Sequence, residues 1–295
     1  MPAHTNRPVL LLIALTLAVT AALGACGAPT PTGEAPGPAP TASLTPETSS
    51  PLPTPTSGTI EVPTELAEVT LPLHIQARAG QPGQPVTVSL RWEDGTELSN
   101  TYVLLEHPDG GGLLVDSLDW QTETQPPQPK TQPATLTLAT ESGEVLAQRA
   151  LVVLSADDPD VRRIDLYWTL GEELDSEQRS VVATDDPEAV ALRELLWGPP
   201  PGNLAGFGTA LPTPDEVLAY PGRGADWGVR VTLLGLTVED GVATANFSPE
   251  MRAYGGGSAR VQTIREQITR TLMQFDGIDE VQIAVAGETE GVLEP

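Results

Sequence analysis

From Ala28 to Gly58 the chain is almost entirely Pro, Thr, Ser, Ala and Gly, with Glu34 and Glu47 as its only charges. Such a segment cannot bury enough apolar surface to offset the entropy lost on ordering it. It divides the chain and leaves residues 59–295 to build the folded part, enough for two ordinary domains. Repeated Pro-Thr and Pro-Ala pairs favour extended polyproline II. At about 3.1 Å per residue such a segment reaches up to roughly 90 Å. Tether, glycosylated stalk and plain disorder are the competing readings. The tether is preferred because of what precedes it.

Arg7 is followed by an apolar stretch from Pro8 to Leu23 and then by Gly24, Ala25 and Cys26, the only cysteine. A short basic region, an apolar run and small residues before a junction form a secretory signal. The run is too short to be a membrane-spanning helix. Leu23-Gly24-Ala25-Cys26 resembles the lipobox of bacterial lipoproteins. That resemblance implies cleavage between Ala25 and Cys26 and a diacylglyceryl group on the Cys26 thiol. The alternative is an ordinary signal with an incidental cysteine. The expected organisation is a lipoprotein signal peptide over residues 1–25 and a disordered tether over 26–58. The protein is then held at the extracytoplasmic face of the cell membrane by its N-terminal lipid.

The formal net charge is −25. Nucleic acid needs a positive footprint that displaces counterions, so it is excluded as a partner. An anionic bilayer surface also repels this chain, which makes a covalent anchor necessary for membrane attachment. With Cys26 lipidated, no thiol is left for a disulfide or a thiolate.

Residues 59–156 alternate apolar and polar over short runs, as in Leu71-Leu73-Ile75 and Val86-Val88-Leu90-Trp92. Further strands are expected at Tyr102–Leu105, Leu113–Val115, Leu136–Leu138 and Val145–Leu154. Turn chemistry separates them at Ala79–Gly83, Asp94-Gly95, Pro108–Gly112 and Ser142-Gly143. The pattern predicts an all-β, immunoglobulin-like sandwich, with residues 121–132 as a polar, proline-rich loop. It resembles the immunoglobulin-like modules that accompany spore-germination domains. Trp92 falls in phase with Val86, Val88 and Leu90, which places it in the core rather than in a ligand groove with Trp120.

Asp157-Asp158-Pro159-Asp160 marks a boundary, and the pattern beyond it mixes strands and helices. A strand is expected over Arg163–Leu170. A helix follows from Pro187, capped by Asp186 and stopped at Gly198-Pro199-Pro200-Pro201. A long Gly- and Pro-rich loop runs to Gly228. Strands at Val229–Val238 and Val242–Phe247 flank Asp240-Gly241, a strong hairpin signal. Val261, Ile264, Ile268, Leu272 and Phe275 make the buried stripe of a second helix starting near Ser258. Gly277 ends that helix, and Glu280–Val285 is the last strand. The expected fold of residues 162–290 is α+β in the order β-α-β-β-α-β, with both helices on one face of the sheet.

Three stretches carry a family resemblance. Ala191-Leu192-Arg193-Glu194-Leu195-Leu196-Trp197-Gly198-Pro199-Pro200 is similar to the signature of the GerMN domain of sporulation and spore-germination proteins. Val238–Ser248 resembles its hairpin, and Ile268–Ile283 resembles its closing helix and strand. The chain departs from the family pattern at Asn246, where aspartate is usual, and in its enlarged loop from Pro199 to Gly228. The resemblance implies a ring-building-motif-like topology and a protein-interaction or assembly module of the cell envelope, with sporulation and germination as the family's setting. It implies no catalytic residues.

No catalytic constellation stands against that. His74 and His107 lack partners at metal-ligand spacing, and no nucleophile elbow or phosphate loop is present. His74 alternates with Leu73 and Ile75 and is expected as an exposed strand residue. His107 precedes Pro108 in a turn. Asp157-Asp158 reads as linker and Asp185-Asp186 as a helix cap, each in preference to a calcium site. Tyr254-Gly255-Gly256-Gly257 reads as a loop before a helix rather than an anion site. The expectation is a non-enzyme without cofactor or metal, which binds a protein partner or itself. The alternative is a lipoprotein that binds or hydrolyses wall polymers or small ligands, with Tyr220 and Trp227 of the 199–228 loop as its site.

Overall fold

Among the described residues, the alternation between Thr59 and Leu154 becomes nine strands in two sheets. The computed structural model describes residues 58–120, 130–203 and 205–294. Ala25, Cys26, the signal, nearly all of the tether and residues 121–129 lie outside the described residues. Strands β1 (Thr59–Val62), β3 (Leu73–Arg78), β7 (Gly112–Leu118) and β6 (Leu105–Glu106) pair antiparallel in that order. The second sheet has the order β2 (Glu68–Val69), β9 (Val145–Val153), β8 (Gln132–Thr140), β4 (Pro85–Trp92) and β5 (Glu97–Val103). Its β2–β9 pair is parallel and the rest antiparallel.

Most strands turn an apolar set toward a core that the two sheets share. On β4, Val86, Val88, Leu90 and Trp92 are buried, while Arg91 is exposed. Trp92 packs there against Trp120, ring to ring at 6.0 Å. The edge strands β1 and β2 had no signal in the sequence: they are short, and β2 is largely solvent-facing.

Beyond residue 160 the elements are β10 (Val161–Leu170), β11 (Glu173–Val182), α1 (Pro187–Leu195), α2 (Pro214–Ala219), β12 (Leu233–Glu239), β13 (Val242–Phe247), a 3-10 turn (Pro249–Arg252), α3 (Gly257–Leu272) and β14 (Glu280–Val285). This corrects the expected β-α-β-β-α-β order. Strand β11 forms a hairpin with β10, and α2 lies inside the long loop. Only Arg179 and Val181 of β11 are buried, so no apolar period betrays the strand. The β10–β11 hairpin is hydrogen-bonded separately from a three-stranded sheet in the order β12-β13-β14. In that sheet β12 is antiparallel and β14 parallel to β13.

Local chemistry explains the helices and turns. Asp186 accepts the Ala189 N–H at 3.3 Å, and Pro187 opens α1. Asp240 and Gly241 both have positive φ, 48° and 84°, the pairing of a type I′ hairpin turn. Val261, Ile264, Ile268 and Leu272 bury one face of α3 in a core with Leu166, Trp168 and Phe247. Strand β12 begins at Leu233, later than the expected Val229. Val229 and Val231 are buried outside any strand, and Val229 joins a third, smaller cluster with Leu113, Val115, Leu105, Trp197 and Leu218. That cluster lies between the sandwich and the second half.

Candidate functional site

Helix α1 has two faces with different work. Ala191, Leu192, Leu195 and Leu196 enter the core of the second half. Glu194 and Trp197, three residues apart and on the other side, reach the sandwich. The Trp197 ring stacks on His74 of β3, with centroids 4.7 Å apart and planes 4° from parallel. The Arg230 guanidinium sits over the same indole at 4.0 Å.

His74 is held from both ring nitrogens, Nδ1 to Ser117 Oγ at 2.8 Å and Nε2 to Glu194 at 2.9 Å. This corrects its expected exposure: the face opposite Leu73 and Ile75 is covered by α1, and 10% of the side chain remains exposed. Glu194 also faces Arg179 Nη1 of β11 at 3.6 Å. Arg179 in turn donates to Glu177 at 3.0 Å, and Trp168 Nε1 donates to the same carboxylate at 2.9 Å. Burial pushes the Glu194 carboxyl up, but His74 and Arg179 outweigh it and hold the group below the usual carboxylate range. Thr70 adds a bond across the same seam by donating to the Ser180 carbonyl at 2.8 Å.

A cavity of about 250 Å³ opens beside this network. Val69, Pro72, Leu73, Val181 and Val190 line it, with His74 and Glu194 at its polar side. Farther along the seam, burial drives the Asp116 carboxyl up to about 6, with Asp215 adding to the rise and the Ser117 N–H opposing it. Asp119 is likewise raised by burial.

The long loop is tied down. Arg260 of α3 forms a two-pronged bridge to Glu216 at 2.6 and 2.7 Å and donates to the Ala210 carbonyl at 2.8 Å. Buried Gln267 accepts from the Ala210 N–H at 2.7 Å and donates to the Tyr167 carbonyl at 2.8 Å. Thr213 and Glu216 close a capping box on α2. Tyr220 and Trp227 stack on each other at 5.5 Å, so one face of each ring is already occupied.

The remaining expected positions are structural. Asp186 caps α1, and Asp158 accepts from Thr131 and from the Asp160 N–H. Gly256 precedes α3 with φ 102° and provides no side-chain cap. Among the described residues no group of three His, Cys, Asp or Glu is placed to hold a metal, and no helix is long and apolar enough to cross a membrane. The sequence pattern missed His74, Arg179, Glu194, Trp197 and Arg230 as a group. The one available signal was the placement of Glu194 and Trp197 off the apolar face of α1.

A family profile described as "Germane: Sporulation and spore germination" matches residues 165–291. No curated protein matches the chain. Among solved structures, the first GerMN domain of the sporulation protein GerM from Bacillus subtilis is 23% identical, with 43% of this chain and 85% of that one covered and a TM-score of 0.32. A putative lipoprotein from Clostridium perfringens is 20% identical over 43% of this chain and 75% of that one, with a TM-score of 0.27. The tandem GerMN domains of the same Bacillus subtilis protein are 16% identical over 63% of this chain and 52% of that one, with a TM-score of 0.30. Residues 165–291 thus carry a domain of the sporulation and spore germination (Germane, or GerMN) family.

Proposed function

We propose that this chain is a non-catalytic, lipid-anchored protein of the cell envelope whose GerMN domain binds a protein partner. The lipobox-like Leu23–Cys26 and the proline-rich segment behind it support anchoring at the extracytoplasmic face of the cell membrane. The sandwich, of immunoglobulin-like kind, then acts as a spacer that holds the GerMN domain in one orientation through the His74–Glu194 seam.

The observation that carries the interaction reading is the free edge of β12. Among the described residues that strand pairs with β13 alone, and it exposes Leu234 by 55% and Val238 by 45%. An edge strand with apolar side chains and open backbone groups is a template for an added strand. It lies within the segment that matches the family.

Crosslinking in isolated membranes tests both parts. The wild-type chain is expected to yield a specific protein adduct, and the double substitution Leu234→Lys, Val238→Lys is expected to abolish it. Recovery of monomer alone, under conditions that preserve complexes, counts against the interaction. Cys26→Ala is expected to move the protein to the soluble fraction with both halves folded. Continued partitioning of that variant into the detergent phase refutes lipid anchoring.

A further inference from the structure

At the other end of the seam the turn after β6 meets the loop after α2. Two adjoining cavities lie there, of about 210 and 390 Å³, and His107 and Arg223 line both. Arg78, Gln76, Asp109 and Trp227 also line the smaller one. Leu105, Leu218 and Asp215 contribute to the larger. In a chain of net charge −25, two guanidiniums and an imidazole converging on one cleft call for a reason.

Arg223 has no carboxylate within ion-pair distance among the described residues. Its Nη2 donates to the Trp227 carbonyl at 2.8 Å and points to the Gly228 carbonyl at 3.4 Å. Nη1 has no described hydrogen bond, and Nε is buried without one. A buried charged donor left unmatched costs stability, so its retention needs an explanation.

His107 is a second, separate sign. Only 6% of it is exposed. The Asp109 N–H donates to its Nδ1 at 3.0 Å, which makes Nδ1 the acceptor. The hydrogen of the neutral ring then sits on Nε2, and no described group accepts it. Arg78 adds positive field to the cleft while bonded to Glu61 at 2.9 Å. Asp109 lies 3.7 Å from Arg78 and 3.8 Å from His107 Nδ1, but it is 79% exposed and its charge is screened by water. Glu106 and Asp215 border only the larger cavity.

We infer that this cleft binds a small oxyanion, a carboxylate or a phosphate group, with the unmatched N–H groups of the Arg223 guanidinium and His107 Nε2–H as its donors. The smaller cavity takes the anionic head, and the larger one has room for the organic body that carries it. Leu105 and Leu218 form an apolar wall for that body. Burial and the positive charges of Arg78 and Arg223 hold His107 below its ordinary value, against the opposing pull of Asp109 and Glu61. A bound oxyanion favours the imidazolium and moves that titration upward.

The test is an NMR titration of the His107 ring protons with acetate and, separately, methyl phosphate, each against chloride at constant ionic strength. A saturable shift with either ligand is expected, together with a rise in the His107 titration midpoint. The tighter ligand identifies the head group as planar carboxylate or tetrahedral phosphate. Arg223→Gln is expected to weaken binding about tenfold or more. Absence of a saturable shift with both ligands overturns the inference, as does unchanged affinity in Arg223→Gln. If that variant fails to fold, Arg223→Lys retains the charge without the guanidinium fork. Weakening of about threefold or more then supports the site, and none overturns it.

Discussion

Glu194 shows how one side chain takes on two tasks. Its backbone belongs to a helix whose apolar neighbours enter one core, while its carboxylate joins His74 and Arg179 on the other side. Arg179 is buried, so removing the carboxylate leaves a buried cation with Glu177 alone. Glu194→Ala is expected to lower the unfolding free energy by about 2 kcal/mol, measured by urea denaturation. A change within a few tenths of a kcal/mol would show that the network adds nothing. Asp116 has the opposite character. Its folded value of about 6 lies above the ordinary 3.8, so between these values the folded chain keeps a proton that the unfolded chain has lost. Its contribution therefore weakens stability as pH rises through that window and is constant above it. Asp116→Asn keeps an acceptor for the Ser117 N–H and removes the charge. It is expected to raise the melting temperature near pH 7 and leave it unchanged near pH 4. An equal shift at both values would assign the effect to packing.

Helix α2 depends on its partners. Six residues cannot hold a helix in water, even with a capping box. Arg260 and Gln267 of α3 supply the missing support by gripping Ala210 and Glu216. Arg260→Gln is expected to speed amide exchange across residues 210–219 about tenfold while leaving the exchange of β13 unaffected. Uniform acceleration in both would point to global destabilisation instead. Elements with their own signals were legible in the sequence: the alternation of β4, the Asp240-Gly241 turn, the Asp186 cap and the stripe of α3. Strand β11 and helix α2 were not. One is mostly solvated and carries no apolar period, and the other is stabilised by residues some 44 positions away in the chain. Of the seam, the sequence offered the GerMN-like signature but not the use to which Glu194 and Trp197 are put.

Within residues 53–295 the two cores belong to one compact unit, and the small cluster around Trp197 is part of what joins them. Trp197→Ala removes the ring shared by His74 and Arg230 and is expected to cost about 3 kcal/mol. Calorimetry should then resolve two transitions where the wild type shows one. A single transition in both proteins would mean that the halves are coupled elsewhere. Periodicity, turn chemistry and caps are properties of neighbouring residues, so most of the strands, helices α1 and α3 and the GerMN resemblance could be read directly from the chain. Whether a polar residue on a strand faces water or a second core depends on which surfaces meet. His74 alternates as an exposed residue should, and becomes part of an interface only because α1 packs over it. His107 and Arg223 stand 116 positions apart and are brought to one cleft by the same docking. Local interactions set most of the elements, whereas helix α2 and the burial and charge at the seam arise from packing between distant segments that no local pattern encodes.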